Sequence, residues 1–148
     1  LLTERFHLTF HRQSRVFSIY EITVDKDGPT MAESLAPNDP PNVVSMVFPD
    51  RIAMPARNAN MSDVARVMQR AILDRPVVDK TGLTGRYNFN LEWAVDETQF
   101  GGEIPPPAET QYPPLLVAMR QQLGLVMKAT KGPVDTLVID GAERPSEN

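Results

Sequence analysis

Apolar positions along the chain follow two rhythms. After Asn60, residues Met61, Val64, Ala65, Met68 and Ile72 recur at intervals of three and four, the spacing that gathers side chains onto one stripe of an α-helix. Asn60 is a good N-cap whose side chain can accept from the backbone of Asp63, and the Asp63 carboxylate suits the positive first turn. Pro76 ends this helix. Beyond Val77 and Val78, the loop DKTGLTG leads into Tyr87, Phe89, Leu91 and Trp93, which alternate with Asn88, Asn90 and Glu92. That alternation predicts a strand with one buried face. A second helix is predicted where Pro113 and Pro114 suit a first turn, with Leu115, Leu116, Met119 and Leu123 as its stripe and Gly124 as its C-terminal cap.

The remaining apolar runs predict hairpins. Leu125 to Thr130 and Val134 to Asp140 flank a turn at Lys131 and Gly132. At the N-terminal end, Leu1 and Leu2 read as the close of a helix, and Phe6, Leu8 and Phe10 alternate as a strand that Gln13 and Ser14 would turn. Phe17 to Val24 carries apolar residues on both faces, as a central strand covered on both sides does. The pattern is thus a helix followed by two strands, used about three times. It predicts a single α+β domain over residues 1–148, with repeated helix plus β-hairpin units and the helices on one face of a mainly antiparallel sheet. Residues 27–50 and 94–113, rich in Pro, Gly, Asn and acidic side chains, read as long loops, with a short strand at Arg51 to Met54 between them.

Composition narrows the function classes. The 148 residues are 41% apolar, enough for one ordinary core. The net charge of -4, with lysines and arginines scattered, gives no basic face and excludes nucleic acid as a partner. No apolar run approaches the roughly 20 residues of a membrane span, so no transmembrane segment is expected in this chain. The absence of cysteine removes disulfides, thiolate metal sites and a cysteine nucleophile together.

Few residues offer chemistry. His7 and His11 share one face of the predicted strand and are the candidate catalytic pair; four residues of strand span roughly 13 Å, too far for both to bind one metal ion. Asp25 and Asp27, followed by Gly28, open like a calcium loop, but the position that should carry a bidentate glutamate is Ala36. They are the candidate metal ligands, with calcium the candidate cofactor, against an ordinary turn. Asp79, Thr81, Gly82 and Gly85 form a glycine-bearing loop without the Gly-Lys-Ser/Thr ending of a phosphate loop. It is either a ligand-binding loop or a tight connection whose amides Asp79 can hydrogen-bond.

Arg75 to Trp93, with its D-x-TGL-x-G-x-Y pattern at Asp79, Thr81, Gly82, Leu83, Gly85 and Tyr87, and the C-terminal KGPVDTLVIDGAERPSEN together resemble a large uncharacterised family of exported bacterial proteins. That domain of unknown function is expanded in Solibacter and other soil Acidobacteria and also occurs fused to BlaR-type zinc metallopeptidase sensors. The resemblance implies a periplasmic or extracellular location. The opening LLTERF, with neither an initiator methionine nor a signal peptide, fits the C-terminal part of a longer exported protein. The leading expectation is a cell-envelope domain that binds an unknown small molecule or envelope protein, as a monomer or a homo-oligomer. A small calcium-assisted hydrolase of esters or lactones is the alternative, and an extracytoplasmic sensor domain is a further one.

Overall fold

Extended chain dominates. In the computed structural model, which describes residues 9–36 and 38–141, strand accounts for 42% of the chain and helix for 19%, giving an α+β fold with two sheets and two helices. In chain order the strands are β1 (Thr9–Val24), β2 (Ala32–Glu33), β3 (Asn42–Val43), β4 (Met46–Val47), β5 (Ile52–Ala59), β6 (Val77–Asp79), β7 (Tyr87–Trp93) and β8 (Leu125–Gly141). Helix α1 (Met61–Val67) widens into a π-helical turn at Met68–Ile72, and α2 (Leu115–Ala118) does the same at Met119–Leu123. The chain divides into two compact units, one drawn from Leu1–Ser18 and Lys131–Asn148, the other Ile19–Thr130.

In the second unit, a sheet of order β2-β7-β5-β3, with β4 also on β5, carries the core. Ile52 faces Trp93, Met54 faces Leu91 and Ala56 faces Phe89, so the buried faces of β5 and β7 coincide as period-two alternation requires. Strand β5 runs on through Pro55, beyond the Met54 limit expected from sequence. The missing N–H of Pro55 costs the sheet nothing here, because it falls where β3 has ended and β4 has not begun, with only the Pro55 carbonyl accepting from Val44 N at 3.3 Å.

Both helices pack on this sheet. Asn60 and Asp63 make a reciprocal cap, with Asp63 N donating to Asn60 Oδ1 at 2.8 Å and Asn60 N to Asp63 Oδ2 at 3.1 Å. Met61, Val64, Ala65, Met68 and Ile72 are all buried. In α2 the buried positions are Leu115, Ala118, Met119 and Leu123, while Leu116 is 45% exposed, a departure from the expected stripe. Strand β2 covers β7 only at Tyr87 and Asn88. Farther along, the Gln122 amide stands in for a strand, accepting from Glu92 N at 2.8 Å and donating to Glu92 O at 2.7 Å.

The expected hairpins are not formed. Strand β1 continues through Gln13 and Ser14, and β8 continues through Lys131 and Gly132; the two are neighbours in a sheet of order β6-β1-β8. A two-residue turn needs left-handed backbone, and Gly132 is not among the glycines with positive φ. Neither Gln13 nor Ser14 resists extension, so pairing across the chain replaces pairing within each segment. Within the first unit, Thr136 Oγ1 donates to Gln13 O at 3.0 Å. Nor do β6 and β7 pair: β6 runs parallel to β1, with Tyr20 opposite Val77 and Ile22 opposite Asp79, while β7 joins the other sheet. Among the described residues the helix-plus-hairpin unit is therefore not seen to recur. Leu1, Leu2, Phe6, His7 and Leu8, for which a helix end and a strand are expected, lie outside the described residues.

Candidate functional site

The register of β5 against β7 slips once. Regular pairing ends at Ala56 opposite Phe89 and resumes at Ala59 opposite Tyr87, so β5 holds one extra residue, a β-bulge. Asn58 absorbs it with φ 54, a left-handed conformation that asparagine tolerates better than most residues. Its N–H donates to Asn88 Oδ1 at 2.8 Å, its carbonyl accepts from Arg86 Nη1 at 3.1 Å, and its Nδ2 donates to the Asp39 carbonyl. The side chain is 4% exposed. Its Oδ1 is buried with no hydrogen-bond partner among the described residues, a situation that costs about 1–3 kcal/mol where nothing compensates.

Asn58 lines an open cavity of about 290 Å³ with Ser34, Asp39, Arg57 and Asn88, bordered by Leu35, Ala36 and Pro40. The facing loop is held in shape: Ser34 N donates to Arg86 O at 2.8 Å, Ser34 Oγ accepts from Ala36 N at 3.1 Å, and Asp39 N donates to Ala36 O at 3.1 Å. Arg57 directs Nη1 to its neighbour's carbonyl, Ala56 O, at 2.9 Å. Amide, carboxylate, hydroxyl and guanidinium groups thus line one opening. Such a set orients a ligand through directional hydrogen bonds.

The glycine-bearing loop is tied internally. Asp79 Oδ1 accepts from Thr81 N at 2.9 Å and Thr81 Oγ1 at 2.6 Å, and Leu83 N donates to Thr81 Oγ1 at 3.1 Å. Gly82 has φ 70, and a Cβ on Gly85 would lie 3.0 Å from the Tyr87 hydroxyl. Asp79 also borders an open cleft of about 420 Å³ with Ser62, Arg66, Gln69 and Arg70.

Comparison with protein families matches residues 1–142 to one described as "protein of unknown function (DUF3738)". The chain belongs to this family. Neither the curated proteins nor the solved structures contain a match.

The other sequence-derived candidates of this DUF3738 chain fall in different places. Asp25 and Asp27 lie in a tight turn closed by Gly28 N donating to Asp25 O at 2.8 Å. Asp25 Oδ1 accepts from Lys26 N at 2.9 Å, and Oδ2 lies 3.9 Å from Arg120 Nε. This turn seats on the C-terminal end of α2. Asp25 N donates to Gly124 O at 3.0 Å, Thr30 N to Leu123 O at 2.9 Å and Thr30 Oγ1 to Gln122 O at 3.1 Å, satisfying carbonyls that a helix end leaves without partners. Among the described residues no three His, Asp or Glu side chains gather as a metal site would require. His11 is an exposed residue of β1 in the first unit, whereas Asp25, Asp27 and the Asp79 loop belong to the second. His7 lies outside the described residues.

The bulge site itself escaped sequence reasoning. Asp39 and Asn88 meet Asn58 from separations of 19 and 30 residues, and no local pattern announces a bulge. The available signal was weak: a run of Arg57, Asn58 and Asn60 between an apolar strand and a capped helix.

Proposed function

We propose that this DUF3738 chain is an exported cell-envelope binding domain, and that the cavity at the β5 bulge receives a neutral, hydroxyl-bearing ligand such as a sugar. The observation that carries the proposal is the set of polar residues, Ser34, Asp39, Arg57, Asn58 and Asn88, that line one cavity. A hydroxyl both donates and accepts. It can give its proton to a carboxylate such as that of Asp39 while accepting from an amide or guanidinium N–H, so a polyol matches a wall of mixed donors and acceptors better than a simple ion does. The amide, hydroxyl, carboxylate and guanidinium groups are suited to holding a ligand, and the proposal assigns them no turnover.

The test is an NMR titration of amide-labelled protein with a panel of mono- and disaccharides. Saturable shifts confined to Asn58, Asn88 and the Ser34–Asp39 loop are expected with at least one member. Shifts absent throughout the panel, or spread without saturation over the surface, would contradict the proposal.

A further inference from the structure

We propose that a groove beside α2, separate from the bulge cavity, binds a small anionic amphiphile: an acyl chain bearing a carboxylate or similar headgroup. Leu116 and Val117 are 45% and 43% exposed, on the side of the helix where polar residues would be expected. With the buried Met127, they form the shared wall of two adjoining clefts of about 430 and 300 Å³, each within the range of small-molecule sites.

Charge sets the direction of the occupant. The first cleft is bordered by Arg120 and Lys128. Arg120 is 61% exposed in its side chain and has Asp25 no nearer than 3.9 Å, and the exposed Lys128 ammonium makes no hydrogen bond or ion pair among the described residues. The second cleft has Leu73, Leu115 and Tyr20 as apolar walls, with the Arg75 guanidinium 4.8 Å from the Tyr20 ring centroid. Asp96 also borders that cleft, its oxygens accepting from Thr98 and Gln99, and its charge disfavours an anion there. An acyl chain across Leu116 and Val117 covers exposed apolar surface while its headgroup meets Arg120 and Lys128. A cationic amphiphile would bring like charges together at that same end.

Calorimetric titration with dodecanoate and with dodecyltrimethylammonium, both below their micelle concentrations, tests this on the full chain. One-to-one binding of dodecanoate and none of the cation is expected. Lys128→Gln, which removes no side-chain hydrogen bond or ion pair among the described residues, and Arg120→Gln should each weaken dodecanoate binding by about tenfold, and Leu116→Gln should weaken it comparably while leaving the thermal transition in place. Absence of saturable dodecanoate binding, equal binding of the cation, or unchanged affinity in Lys128→Gln would overturn the proposal.

Discussion

Gly124 has φ 68, and a Cβ there would lie 2.3 Å from the Gly28 carbonyl oxygen and 3.0 Å from Thr30 N. Backbone lies on both sides of this contact, so no side chain can move aside. Gly124→Ala should destabilise the protein by at least about 2 kcal/mol, from left-handed strain plus displacement of the 25–30 turn; an unchanged denaturant midpoint would refute that packing. Asn58 differs, because glycine there keeps the left-handed backbone while deleting the buried amide. Asn58→Gly should alter stability by less than about 1 kcal/mol while abolishing ligand binding at the bulge. Arg51 joins Glu92 through Nε at 2.5 Å and Asp50 through Nη1 at 3.0 Å, beneath the rings of Phe48 and Tyr112. The Glu92 carboxylate holds the guanidinium's pKa above its ordinary value, against a smaller opposing effect of desolvation. A raised folded pKa stabilises below the unfolded value and is lost only as pH rises through the folded one, so the arginine's contribution is constant across neutral pH. Arg51→Met should lower the melting temperature equally at pH 6 and pH 8, and a loss confined to one of the two would contradict the assignment.

At the scale of elements, the sequence disclosed what local physics decides. The Asn60 cap, the α1 stripe, the Gly124 cap and the alternation of β7 each depend on residues within a few positions of one another. What it concealed depends on distant partners. Gln13, Ser14, Lys131 and Gly132 have compositions that suit turns, yet β1 and β8 extend through them because each strand satisfies its backbone on its neighbour. The Met54 boundary failed likewise, since proline ends a strand only where its missing N–H would have been used, and β3 and β4 leave that position open. Gln122 illustrates the converse, a helical side chain completing a sheet edge 30 residues away. Gln122→Ala leaves Glu92 N and O without these partners and should cost about 1–2 kcal/mol, with faster amide exchange at Glu92; protection equal to the wild type would show that the amide is dispensable.

For the whole molecule, membership of an uncharacterised family was expected from the sequence and is shown, whereas the bulge cavity was not legible, because Ser34, Asp39, Asn58 and Asn88 come together only after β2, β5 and β7 have paired. A cavity built from three separated segments leaves no contiguous motif. The proposed export predicts that, in cells expressing the complete gene, osmotic shock releases the protein with envelope markers; retention with cytoplasmic markers would contradict that location. The central claim concerns the polar cavity that Asn58 lines at the β5 bulge, and the most direct measurement is calorimetric titration of wild-type protein and Asn58→Gly with the saccharide giving the largest NMR shifts. Saturable binding to the wild type and none to the variant, with both proteins melting cooperatively, is the predicted result. Equal affinity of the two proteins would contradict the account.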